Sequence, residues 1–296
     1  MQRIATLYID HIGWGSMDEP KTISFFEKLG FYMADGPKDE TKFEMSHFYM
    51  DSGSAYLEVY ALQKDGTMWP VDLDLITSPE VEPLFNPRGM TGVYSFVLST
   101  RDCDASREAL VKAGYKTGPV YRRGKSEDYT YYASIGGSST TDMFSFERGT
   151  EPFPDMLFGV MQHTNDYHTH HYRKTVHEYH SNGVNKVGSV VLYYETPEKL
   201  LSALKELHKI QDAIADYADH ANYTSTVRLV DKAAYEKEFG VDAPQIVSAV
   251  AAVEFQNGDL DYILEQVKAN GFSYFEKNGK LYVDGREATS TFLIFS

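Results

Sequence analysis

The stretch Phe25-Phe26-Glu27-Lys28-Leu29-Gly30-Phe31 closes an apolar helical pattern on a glycine and restarts at once on an aromatic residue. Ala113-Gly114-Tyr115 does the same 84 residues later. Around the first copy, Ile23, Phe25, Phe26 and Leu29 recur at helical spacing after Pro20, a residue suited to a helix start, and Gly30 supplies the stop. Ahead of it, Arg3 to Gly13 alternates and is rich in Ile, Leu and Tyr, as a strand does. Behind it come three strand-like runs, Gly30 to Ala34, Lys42 to Asp51 and Ala55 to Leu62. The order is β-α-β-β-β.

The same order returns after a proline-rich connection from Gln63 to Arg88. Thr91 to Thr100 reads as a strand and Asp104 to Gly114 as a helix; Tyr115 to Tyr121, Tyr129 to Ile135 and Asp142 to Glu147 read as strands. A third copy opens with the strand Lys186 to Tyr194 and a helix from Glu198 to Ala218, and its later strands are hard to place. A fourth runs from the strand Val247 to Phe255 through the helix Asp259 to Asn270 to strands Phe272 to Glu276, Lys280 to Val283 and Thr289 to Phe295. One such unit cannot bury both faces of its sheet, whereas two side by side enclose a cleft. The expected fold is therefore α+β, with repeated β-α-β-β-β units pairing into curved mixed sheets around a cleft and helices outside. Residues 1–160 form the first pair, 161–183 a His-rich crossover, and 184–296 a second pair whose third unit is degenerate.

Composition narrows the function. With 296 residues, 42% of them hydrophobic and 24% charged, the chain has material for a core, and disorder, collagen and coiled coil are excluded. The net charge of −15 and the lack of any basic cluster beyond Arg122-Arg123-Gly124-Lys125 argue against nucleic acid. The apolar run Ile246 to Val253 is far short of the ~20 residues of a membrane span, and Asp10 and His11 stand where a signal peptide is apolar. A soluble, cytoplasmic protein is expected. The single cysteine, Cys103, rules out an internal disulfide and a thiolate-rich metal site. The 22 tyrosines against 17 phenylalanines suit sheets around a partly polar cavity, although tyrosine is also simply a good strand former.

Three phrases resemble the vicinal-oxygen-chelate superfamily of glyoxalase I, extradiol dioxygenases and bleomycin-resistance proteins. They are Ile9-Asp10-His11-Ile12-Gly13, the helix ending at Leu29-Gly30-Phe31, and Ala55-Tyr56-Leu57-Glu58-Val59. The chain is most similar to the glyoxalase-like subgroup with a longer chain, in which a His-Pro-Asn-Gly phrase precedes the third unit; here it reads His180-Ser181-Asn182-Gly183. The resemblance implies a metal ligand on the first strand of a unit and another on the fourth, which fall on His11 and Glu58. An imidazole and a carboxylate suit a divalent ion such as Fe, Mn, Ni or Zn. It also implies a small-molecule substrate with neighbouring oxygens, and a homodimer is a further expectation.

The offset of 84 carries His11 to Ser95, and Ser189 and Ala252 stand near the matching positions downstream, so the four-ligand pattern of glyoxalase I is absent. Further ligands have to come from elsewhere, and His47 is the nearest candidate. Six of the ten histidines lie between Met161 and Gly183, where His163 and His180 are candidate catalytic groups closing over the cleft, histidine being the acid or base of neutral pH. A His-rich surface crossover, a core role for His11 and an ion-paired Glu58 are the plainer alternatives. Two functions stay open. One is a divalent-metal-dependent lyase, isomerase or dioxygenase acting on a small oxygen-rich molecule; the other is a metal-free protein that sequesters small molecules, as resistance proteins do.

Overall fold

Asp18, Asp102 and Asp259 each stand twelve residues ahead of a glycine. Each pair brackets a ten-residue helix: α1 (Glu19–Lys28), α2 (Cys103–Lys112) and α5 (Leu260–Ala269). These belong to a computed structural model that describes residues 3–35, 38–39, 43–50, 55–61, 91–122, 141–146, 157–163, 179–214, 224–244 and 248–296. Each aspartate side chain accepts the backbone N–H three residues on, from Lys21, Ala105 or Tyr262, and so caps the helix. Each closing glycine is left-handed, with φ of +87°, +93° and +69°. The repeat holds at atomic detail. Ser16 and Thr22 share a 2.7 Å hydroxyl–hydroxyl hydrogen bond, and 84 residues later Thr100 and Ser106 share one of 2.6 Å.

The strands of the first unit are β1 (Ile4–Ser16), β2 (Ala34–Asp35), β3 (Lys38–Asp39), β4 (Phe43–Met50) and β5 (Tyr56–Ala61). Those of the second are β6 (Gly92–Ser99), β7 (Tyr121–Arg122), β8 (Thr141–Ser145) and β9 (Leu157–His163). The third has β10 (Lys186–Tyr194), α3 (Pro197–Ile214), β11 (Thr224–Val230) and α4 (Lys232–Phe239). The fourth has β12 (Ser248–Gln256), β13 (Tyr274–Lys277), β14 (Lys280–Asp284), the short helix α6 (Arg286–Thr289) and β15 (Phe292–Phe295). In every unit the first strand lies parallel to the last: β1 with β5, β6 with β9, β10 with β11 and β12 with β15. First strands also pair antiparallel with each other, β1 with β6 and β10 with β12, and β1 continues onto β11. A single mixed sheet of fifteen described strands results.

Two parts of the sequence reading are corrected. The fourth strand of the second unit is β9, and the stretch beginning at Asp142 belongs to the third strand. A parallel strand covered on both faces reads as a nearly continuous apolar run, and Leu157 to Met161 is that run. The expected strand Tyr129 to Ile135 lies outside the described residues. In the third unit, β11 pairs directly with β10, and helix α4 follows it where the expected order required a hairpin to precede the last strand.

Strand alternation sorts side chains onto two faces. Ile12, Trp14, Phe96, Phe144, Phe158 and Val160 belong to one large core with Phe26, Leu110, Leu204 and Ile263 from the covering helices. In the second half α4 lies on the opposite face. There Tyr235 and Phe239 pack with Val191, Tyr193, Val230, Phe292 and Ile294 in a separate cluster.

The halves are held together by buried polar contacts. Trp14 Nε1 donates to the Thr289 carbonyl at 3.1 Å and Thr22 Oγ1 to the Ala288 carbonyl at 2.6 Å. Gln211 of α3, buried, donates to the carbonyls of Tyr8 and Ser99 where β1 passes from β11 to β6. Replacing it with leucine removes both of these buried hydrogen bonds. Gln211→Leu should lose about 2–4 kcal/mol of stability in urea unfolding, and a loss below about 1 kcal/mol would remove Gln211 from this role.

Candidate functional site

On a regular strand Asp10 and His11 would face opposite sides. The β1–β6 ladder steps from Ile9↔Leu98 to His11↔Val97, making Asp10 an extra residue in a bulge. The bulge lets neighbouring side chains meet, so His11 Nδ1–H donates to Asp10 Oδ1 at 2.7 Å, with both residues buried. The carboxylate fixes the ring and turns Nε2 toward Glu58, whose Oε2 lies 4.0 Å away. That is too long for a hydrogen bond. Two donors that share one divalent ion through bonds of roughly 2.1 Å stand at most about 4.2 Å apart, and the pair falls within that limit. The donors are chemically suited to such an ion, and Asp10 is placed as the outer carboxylate that orients a ligating histidine. Asp10 was legible only as the residue before His11; nothing in the sequence marks the bulge.

Gly13, two residues beyond His11, pairs with Glu58 on β5 and with Ser95 on β6. His11, Glu58 and Ser95 therefore share the face opposite the main core. A local two-fold relation through the Ile12↔Phe96 pair gives the second unit's counterparts. His11 maps to Ser95, and Glu58, opposite Gly13, maps to Gly159, opposite Val97. A Cβ on Gly159 would sit 3.3 Å from the Phe144 carbonyl oxygen, a tighter contact than a side chain usually makes. On this face the first unit thus carries an ionisable pair and the second a hydroxyl and a glycine. Among the described residues no group of three or more His, Cys, Asp or Glu is placed to hold a metal.

The structure brings His11 and Glu58 together. His47 is in register with Val59, while Phe48 is in register with Glu58, so His47 falls one step out of phase with the pair. His163 ends β9, in register with Thr141 and four residues from Gly159, roughly 13 Å along the strand. His180 belongs elsewhere. Its Nδ1 accepts the Tyr32 N–H at 2.9 Å and its ring packs on Phe31, which packs on Phe26, which packs on Trp14. Trp14 faces the core side of β1, so His180 is buried behind the sheet. The rest of its motif works at the same junction: Asn182 Nδ2 donates to the Leu29 carbonyl, and the Asn182 backbone N–H donates to that of Gly30.

The second half has no matching pair. At the positions of His11 and Glu58 the third unit has Ser189 and Arg228 and the fourth Ala252 and Ile294. Arg228 makes a bidentate ion pair with Glu238 of α4, and α4 fills the face with Phe239 stacked on Phe292 at 4.6 Å. Glu254 accepts hydrogen bonds from Ser189, Lys280 and Ser296. Burial alone would raise its pKa, but those donors, Lys280 foremost, outweigh it and hold the carboxyl below the usual 4.5. A depressed carboxylate pKa stabilises the fold above its unfolded value, and that contribution is lost as pH falls through the folded value. Unfolding midpoints should therefore drop below pH 4.5 more steeply for the wild type than for Glu254→Gln. Parallel pH profiles would contradict the assignment.

Residues 9–208 match a glyoxalase-like domain, and the chain belongs to that family. No curated protein matches the sequence. Among solved structures, a hypothetical protein from Staphylococcus aureus aligns at TM-score 0.54 and 10% identity over 99% of both chains. The Mn(II)-bound glyoxalase from Novosphingobium aromaticivorans aligns at 0.50 and 9%, over all of this chain and 82% of its own. BphC, a halotolerant catechol dioxygenase, aligns at 0.50 and 10%, over 97% and 86%. At such identities the likeness is one of fold, that of the vicinal-oxygen-chelate superfamily. No helix among the described residues is long and apolar enough to cross a membrane.

Proposed function

We propose that this glyoxalase-like protein is an enzyme that holds one divalent cation between His11 and Glu58 and acts on a small oxygen-rich organic molecule, as a lyase, isomerase or dioxygenase. The observation that carries the reading is the buried Asp10–His11 hydrogen bond aiming Nε2 at Glu58 across 4.0 Å. The Mn(II) of the similar glyoxalase and the presence of a catechol dioxygenase among the structural neighbours support it. A bound divalent ion supplies Lewis acidity to a substrate oxygen. The chain does the rest: Asp10 holds the imidazole in one orientation, and Glu58 offers its carboxylate to the cation or to a substrate proton. Two protein donors leave coordination positions for substrate oxygens. EDTA-stripped protein titrated with Mn2+ should take up one equivalent, and no uptake would sink the metal reading.

A second reading has its own observation. Ser95 and Gly159 stand where a symmetric site would repeat His11 and Glu58, as in a cleft that binds without metal. Small aromatic ligands binding equally well in EDTA and in Mn2+ would favour it.

A further inference from the structure

Ser95 is 1% exposed, and its Oγ is one of only three buried side-chain polar atoms among the described residues that have no hydrogen-bond partner. A dry hydroxyl without a partner destabilises a fold, and native proteins keep few of them. The other two, Thr117 Oγ1 and His208 Nδ1, belong to residues outside the His11–Glu58 ladder. Ser95 lies within that ladder. Gly13 is flanked by Glu58 on β5 and Ser95 on β6, with His11 two residues along β1 on the same face. Gly13 projects no side chain between them, and Glu58 and Ser95 stand two strand spacings apart, roughly 9.5 Å between backbones. A glycine inside a strand commonly marks a close approach.

We infer that Ser95 is a ligand-contacting residue, whose hydroxyl hydrogen-bonds an oxygen of a small molecule seated over Gly13 between Glu58 and Ser95. The local two-fold relation strengthens this, because Ser95 occupies in the second unit the place His11 occupies in the first, so both converge on the same span of β1 and β6. A hydroxyl both donates and accepts, and it suits a hydroxyl or carbonyl oxygen of a neutral or anionic ligand. The inference rests on the His11–Glu58 face being the binding site, and it holds whether or not a cation is bound there.

Two measurements on Ser95→Ala test it. In ligand-free protein the substitution deletes an unpaired buried hydroxyl, so Tm should rise by about 2 °C or more. Catechol, an aromatic probe with two adjacent hydroxyls, should bind the wild type and bind Ser95→Ala about tenfold more weakly, by calorimetry in EDTA and in Mn2+. An unchanged or lower Tm, equal catechol affinities, or no catechol binding in either buffer would overturn the inference. Its failure is separable from that of the metal reading. Mn2+ uptake with equal catechol affinities sinks Ser95 alone, and the Ser95 effects without Mn2+ uptake sink the metal alone.

Discussion

His11→Ala and Glu58→Ala should each weaken Mn2+ binding by more than about 100-fold, because each removes one of the two proposed protein donors. Asp10→Ala should weaken it about 10–100-fold, the range seen for outer residues that orient a ligating histidine. The ordering follows from the contacts. Asp10 meets the ring at Nδ1, whereas Nε2 and the Glu58 carboxylate face each other across the 4.0 Å gap. Calorimetric titration of stripped protein reads all three. Equal losses for Asp10 and His11 would mean that the aspartate does more than orient, and an unchanged affinity in either of the other variants would remove that residue from the site.

The second large effect is on stability and comes from the junction behind the sheet. Asn182 is fully buried; its Nδ2 donates to the Leu29 carbonyl and its Oδ1 accepts the Val184 N–H, both at 3.0 Å. Its own carbonyl accepts the Asp259 N–H at the start of α5 at 2.7 Å, so one residue ties the end of α1 to the fourth unit. Asn182→Ala strands a buried carbonyl and a buried N–H, and should lose about 3–5 kcal/mol in urea unfolding. The neighbouring Gly30 is constrained as well. At φ +87°, a Cβ there would meet Tyr262 at 2.7 Å and Asn182 at 3.0 Å, so Gly30→Ala should destabilise through the same contacts. A loss below about 1 kcal/mol for Asn182→Ala would contradict this account of how the halves are joined.

The repeat was legible because local chemistry writes it. A capping aspartate and a left-handed glycine set each ten-residue helix without help from the rest of the chain. The offset read from Gly30 and Gly114 carries through to the strand ladder, where Ile12 pairs with Phe96. What stayed hidden depends on pairing. Leu157 to Met161 is visibly apolar, but only the sheet shows that it lies beside β6 and that Gly159 therefore answers to Glu58. The same holds for Asp10, whose reach to His11 needs a bulge defined by the partner strand. His180 misled for a related reason. A histidine near a family phrase suggests chemistry, yet its Nδ1 accepts the Tyr32 amide N–H and its ring packs on Phe31. The third unit departs furthest because α4 follows its last strand, and Tyr235 and Phe239 of that helix pack against a sheet face that the repeat pattern leaves open.

The most direct test of the central claim is the metal content of untagged protein purified without added metal, measured beside His11→Ala with both shown to be folded by circular dichroism. The account predicts close to one equivalent of a divalent first-row metal in the wild type and almost none in the variant. Metal absent from the wild type and not taken up on adding Mn2+, or present equally in both proteins, would contradict it.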